Sequence, residues 1–492
     1  MSRLVIVMIL LAAACKKGEP VVFSDPASGP QSGYYEVRFD ISEADIDGTV
    51  SAVRIGGINA YDVVHQGEEV SVIVQGSAAA GPTDVEMITS SGVQSFEGGF
   101  EYDRPVDPLF DRMAAMGASL TQGTAGGVPT YEAILASPPH LLARRGGAFL
   151  PLPLLTRGLF PTIGPEDIGS APECLAPDVV NFIAEASVEV IGKLNDEEQD
   201  RIGFYLGRVD PDLEPHDVAV GGSNIADLVN GTAGDFGKQF VTKLVYAPYA
   251  DIIEDVHVSQ LELVEAIEPT LVISTDIYGN DLIGAIVESS FIDTDKLTPV
   301  EDVRLALTTV VERLEATGAE VFLANMPHAT VLPATADKRA AAIENARNVA
   351  QQTGEDPDQA MADEAIAVDA RIQLVEDVGD AYNAILDELA STRPTIHVVD
   401  FGARVADVEA EGLEVDGELL TVRKYGGLLS TDGVHFSDAG YAMFANLFIE
   451  TINAELGLDM PEYDLAPIVM TDPYSPAALR AGGLDPTLCD GT

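Results

Sequence analysis

Residues 270–281 read TLVISTDIYGND. An apolar, strand-favouring run gives way to a short polar stretch around Gly279 and Asn280. The run predicts a strand over 270–276, and YGND is the loop at its carboxyl end. Four other segments have the same character: MAAM at 113–116, DVAV at 217–220, AEVFLAN at 319–325 and TIHVVD at 395–400. Helical stretches separate them, at 223–230, 236–266, 298–317, 337–352 and 361–392. A last helix is expected at 438–456, with Ser437 as N-cap and Asp438 in a first turn where negative charge suits the helix dipole. Strands alternating with helices predict an α/β domain on a mostly parallel, five-stranded sheet.

Open parallel sheets bind ligands at the carboxyl ends of their strands, so the residues after each strand carry the functional information. After the first strand comes GASLTQG, with Ser119 between small residues. The second is followed by GGSNIAD, a glycine pair entering a helix, and the third by YGND. The fifth leads through a long connection to DGVHFSD at 432–438. Four polar markers therefore fall on one sheet edge. A serine hydroxyl is a weak nucleophile until a base takes its proton, and His435 supplies an imidazole. Asp432, three residues earlier across a turn tightened by Gly433, can orient that ring. The N–H groups of Ser119 and Gly222, with the side-chain amide of Asn280, are candidate donors to an oxyanion, and a glycine at 222 lets the backbone approach closely. Asp281 is expected to hold its loop. His328 in NMPH and Tyr278 are candidate pocket residues. His140, His216 and His257 have no metal-ligand spacing, so no metal and no cofactor is expected.

With these four blocks in this order, the sequence resembles the SGNH hydrolases, the GDSL-type esterases and lipases, over about residues 108–456. The resemblance implies a flavodoxin-like α/β/α fold, nucleophile Ser119, base His435, acid Asp432, and an oxyanion hole of Ser119, Gly222 and Asn280. Two departures stand out. Ala118 replaces the usual aspartate of the first block, and Tyr278 stands where a glycine is usual in the third. About a hundred residues separate the first two blocks. The long insertion at 124–212 is expected to be a lid or substrate wall, because long loops near sites are usually functional.

The remaining chain is of other kinds. Residues 20–103 show short alternating runs (YYEVRFDI, VSAVRIGG, EEVSVIVQG, TDVEMITSSG, FEGGFEYD), which predict a small antiparallel β-sandwich. The turns PASGPQSG and VRIGGINA, with PTDVEMITSSGVQS and the closing FEY, resemble the IPT/TIG immunoglobulin-like domains. The hydrolase-like domain is then expected over 104–460 and a tail over 461–492. The opening MSRLVIVMILLAAAC has one basic residue and an apolar core too short to span a bilayer, as in a signal peptide over 1–14. LAAAC resembles a bacterial lipobox, which implies lipidation of Cys15 and a tether over 15–30. Lys16 after the cysteine points to the outer membrane. Cys174 and Cys489 are candidates for one disulfide. The chain has 492 residues and a net charge of −53, with no basic stretch to neutralise phosphates, which excludes nucleic-acid binding. The expected partners are a membrane, through the lipid, and an acyl-ester substrate, a lipid or an acylated glycan. The rival reading is a binding lipoprotein on an inactive hydrolase fold.

Overall fold

The structure is a computed structural model that describes residues 22–44, 46–159, 207–231, 245–246 and 258–483. Cys15, Cys174, Cys489 and most of the 124–212 insertion lie outside the described residues, as do residues 247–257 with His257. The chain divides into two compact units, Met1–Arg104 and Pro105–Thr492.

Among its described residues the first unit holds nine strands: β1 (Phe23–Asp25), β2 (Ser28–Pro30), β3 (Tyr35–Asp40), β4 (Ala52–Ile55), β5 (Ile58–Asn59), β6 (Tyr61–Gln66), β7 (Glu69–Val74), β8 (Gly81–Thr89) and β9 (Gly92–Asp103). They form two sheets, ordered β1-β3-β7-β6 and β2-β9-β8-β4-β5. All pairs are antiparallel except β2 with β9. Alternate residues of β3 and β7 (Val37, Phe39, Val70, Val72, Val74) meet Val53, Ile55, Val85, Met87 and Phe100 of the other sheet in one core. Period-two alternation therefore becomes a sandwich because each sheet has one apolar face to cover.

Among its described residues the second unit is built on four parallel strands, β10 (Met113–Ala115), β11 (Leu271–Ser274), β12 (Glu320–Ala324) and β13 (Ile396–Val399), hydrogen-bonded in that order. The fifth strand expected at 217–220 is a correction. Those residues run beside β10 on its free edge but form only one ladder bridge, Ala115 with Asp217. Ala115 N–H donates to His216 O, and Val218 and Val220 N–H donate to Ala115 O and Gly117 O. The backbone is satisfied as in a parallel strand, but β10 is short and the segment turns away at Gly221–Gly222, so a full ladder has no room to form.

Helices follow the strands: α1 (Ser119–Gln122), α2 (Tyr131–Ala136), α3 (Pro138–Gly146), α4 (Ile225–Asn230), α5 (Gln260–Ile267), α6 (Gly279–Val287), α7 (Val300–Thr317), α8 (Pro333–Thr353), α9 (Pro357–Ala390), α10 (Phe401–Glu411) and α11 (Asp438–Leu456). Leu271, Val272, Ile273 and Ser274 are all fully buried. Successive strand side chains point to opposite faces, so that burial requires cover on both sides of the sheet. Two helical groups provide it. Helix α7 packs with α4, α5 and α9 and touches β12, while α11 packs with α2 and α3 and touches β13. No helix among the described residues is long and apolar enough to cross a membrane.

Candidate active site

The turn after β10 is built for close approach. Gly117 has φ +146°, and a Cβ there would fall 2.5 Å from Thr121 Oγ1 and 2.7 Å from Asp276 Oδ1. A glycine is required on both counts. Helix α1 then starts at Ser119, runs for 4 residues and stops at Gly123, φ +83°. Its N-cap position is Ala118, whose side chain cannot cap. Two buried side chains from other elements hold the turn instead. Gln260 of α5 accepts the Gly117 N–H and donates to Gly117 O, both at 2.8 Å. Asp276 accepts the N–H groups of Ala118 (2.9 Å) and Leu120 (2.7 Å). Ser119 itself is half-buried.

The opposite side of the site is the loop before α11. Ser437 caps that helix by accepting the Gly440 N–H. Gly433, at φ +69°, closes the turn that sets Asp432 against His435. Asp432 Oδ2 lies 2.7 Å from His435 Nδ1. Its other oxygen accepts the N–H groups of Val434 (2.9 Å) and His435 (2.8 Å) and the Ser430 hydroxyl (3.1 Å). Asp432 is 2% exposed. Burial alone would raise its pKa, yet the imidazole's charge and these hydrogen bonds hold it below the usual carboxylate range. Burial alone would lower His435, but Asp432, with a smaller contribution from Asp276, holds it above the ordinary histidine value. Nδ1 therefore carries a proton toward Asp432, which leaves Nε2 as the basic nitrogen.

The two sides are tied directly. Gly126 N–H donates to Ser430 Oγ (3.0 Å), which donates to Asp432. The Tyr441 hydroxyl donates to Thr124 O at 2.5 Å. Asp276 serves both sides, since it binds the amides flanking Ser119 while its charge reaches His435.

The loop 221–224 comes third. Gly222 has φ +81°. A Cβ on Gly221 would lie 3.7 Å from Ser119 Cβ, so this glycine pair sits against the serine. Gln122 Oε1 accepts the Gly221 N–H at 3.1 Å. Asn280, in the first turn of α6, donates to Ser223 O at 2.8 Å. Among the described residues, no acceptor engages the N–H of Ser119 or of Gly222. One side-chain amide hydrogen of Asn280 is committed to the loop, and the other is available to a substrate oxygen. Asp281 holds its loop, accepting the Ile225 N–H (2.8 Å) and the Thr298 hydroxyl (2.7 Å), with burial pushing its pKa up to about 6.

The two expected pocket residues have partners on α9. Tyr278 is fully enclosed, edge-on to the Tyr382 ring at 5.8 Å, with its hydroxyl donating to Asn383 of α9 at 2.8 Å. It braces the loop from the core because α9 offers both an aromatic face and an amide acceptor. His328 is exposed and pairs with Asp380 of α9 at 2.9 Å. His140 is buried and His216 half-buried, and desolvation lowers both. Asp276, Gln260, Gln122 and Ser430 are site residues that the motifs do not reveal. Each acts through a contact to a block distant in sequence, which leaves no local signal.

Residues 214–448 match the family described as GDSL-like Lipase/Acylhydrolase. The matched region is that of an ester-hydrolysing serine hydrolase. It takes in Gly222, Asn280, Asp432 and His435 and starts beyond Ser119. No curated protein matches the chain.

Proposed function

We propose that the protein is a membrane-anchored serine esterase that hydrolyses carboxylic esters by acyl transfer from Ser119. The observation that carries the reading is the buried Asp432–His435 pair at 2.7 Å, tied through Ser430 to the loop that follows Ser119. His435 Nε2 takes the Ser119 proton as Oγ attacks the ester carbonyl. The oxyanion is held by the N–H groups of Ser119 and Gly222 and by the Asn280 amide. Collapse of the tetrahedral species breaks the bond to the alcohol, which leaves with the proton from His435. Water, deprotonated by the same imidazole, then attacks the acyl-enzyme and restores Ser119. The chemistry needs no cofactor.

The substrate is a lipid or short acyl ester. An anchor formed by lipidated Cys15 places the enzyme at a bacterial cell envelope, at the outer membrane, where acyl chains are at hand. The N-terminal sandwich, read as an IPT/TIG-like domain, favours a second reading in which acetyl groups on extracellular polysaccharide are removed. Hydrolysis of nitrophenyl esters from acetyl to palmitoyl separates the two. Ser119→Ala must abolish turnover on all of them with the fold retained, and turnover surviving in that variant refutes the assignment.

A further inference from the structure

Asp276 stands at the end of β11, outside the four blocks, and its surroundings are unusual for a buried acid. It is 3% exposed. Oδ1 accepts the Ala118 N–H at 2.9 Å and the Thr121 hydroxyl at 2.7 Å, and Oδ2 accepts the Leu120 N–H at 2.7 Å. The first amides of a helix lack partners within it, and a side chain at the N-cap normally takes them. Ala118 cannot do so, and a carboxylate 158 residues away does. It takes the amides on either side of Ser119 and leaves the one between them, the Ser119 N–H, without an acceptor among the described residues.

We propose that Asp276 is a positioning residue for the nucleophile. By holding the amides of Ala118 and Leu120 it turns the Ser119 N–H toward the substrate oxygen, and its charge supports the imidazolium that forms on His435 when Ser119 gives up its proton. This inference rests on Ser119 being the nucleophile. It assigns Asp276 to both halves of the reaction, in contrast to Gln260, which grips the same turn at Gly117 with no charge.

The groups around the pair fix the direction of the pH effect. His435 faces Asp432 on its own loop and feels the charge of Asp276 just beyond β11, and both carboxylates also reach Tyr441 on α11. Asp276 faces Thr121 on α1, and Asp217 beside β10 lies within reach of its charge. Burial raises Asp276 against the hydrogen bonds from Thr121, Ala118 and Leu120 that hold it down. Both carboxylates near the imidazole raise its pKa, so removing the charge at 276 lowers it. The neutral, basic form of His435 then persists to lower pH.

The test uses the full chain and a short-chain nitrophenyl ester, with kcat and KM measured across pH for wild type, Asp276→Asn and Thr121→Val. Asparagine keeps one acceptor oxygen but leaves one of the two amides unheld. Asp276→Asn is expected to lower kcat by roughly 10- to 100-fold, less than the roughly 10²- to 10³-fold lost when an oxyanion donor is removed outright, with KM nearly unchanged and the acid limb of kcat/KM shifted to lower pH. Should Asp276→Asn fail to fold, Thr121→Val, which removes a single bond to the carboxylate, is expected to lower kcat with KM unchanged. An acid limb in the same place with kcat undiminished in Asp276→Asn, or an unchanged kcat in Thr121→Val where Asp276→Asn does not fold, overturns the proposal. Rapid labelling of Ser119 by a fluorophosphonate in wild type, measured alongside, separates this failure from a failure of the nucleophile assignment, in which wild-type Ser119 does not react.

Discussion

Replacing Asp432 by asparagine tests the relay at its most defined point. The amide oxygen can take over from Oδ1, which accepts the N–H groups of Val434 and His435 and the Ser430 hydroxyl, so the loop keeps its shape. The amide nitrogen then replaces Oδ2, 2.7 Å from His435 Nδ1. A donor facing Nδ1 forces that nitrogen to accept, which moves the ring proton to Nε2 and blinds the base toward Ser119. Loss of the correct tautomer costs roughly 10⁴-fold in kcat in a serine triad, or about 5 kcal/mol of barrier. The stability effect has a defined pH window. Asp432 is lowered in the fold, so its contribution is present above the unfolded carboxylate range and is lost as pH falls through the folded value. His435 is raised, so its contribution is full below the unfolded histidine value and is lost as pH rises through the folded one. The pair thus stabilises most between about pH 4 and 6.5, the two unfolded values. The variant should melt lower than wild type near pH 5.5, with the gap narrowed above pH 8, where the His435 contribution is lost and that of Asp432 remains. Steady-state hydrolysis with melting at the two pH values decides the matter. Turnover within tenfold of wild type, in a variant that folds, refutes the reasoning.

Asn280→Ala removes a candidate oxyanion donor and the brace on Ser223 O, and should cost about 10²- to 10³-fold in kcat with little change in KM, read from saturation curves. Gly222→Ala places a side chain at φ +81°, a left-handed strain of about 1–2 kcal/mol, and should lower kcat and the melting temperature together. Asp438 and Asp472 share the start of α11, and burial pushes them up to about 7 and about 6. Acids raised in the fold destabilise it as pH climbs above their unfolded value, so Asp438→Asn should gain about 1–3 kcal/mol at pH 8 and nothing at pH 4, measured by denaturant unfolding.

Much of the α/β unit was legible because its strands are short apolar runs bounded by polar residues. β11, β12 and β13 lie inside the segments read for them, and the last helix spans 438–456 as its Ser437 cap implies. Helices α8 and α9 begin at Pro333 and Pro357, earlier than the helical pattern suggests, because proline is favoured in a first helical turn. Strand β6 was not legible, since YDVVHQ buries no residue fully and carries little hydrophobic signal. The partial fifth strand depends on the length of its neighbour, which the residues 217–220 do not encode. In the candidate site, the four blocks supply the candidate groups. The residues that aim them, Asp276, Gln260 and Ser430, were invisible because their contacts join segments 304 residues apart for Ser430 and Gly126 and 143 for Gln260 and Gly117.

The central claim is that Ser119 is the group His435 activates. Treating the intact protein with a fluorophosphonate and mapping the modified peptide by mass spectrometry tests it most directly. The account predicts one adduct, on Ser119, formed together with loss of ester hydrolysis and absent from His435→Ala. An adduct on another serine, or full hydrolysis with Ser119 unmodified, contradicts it.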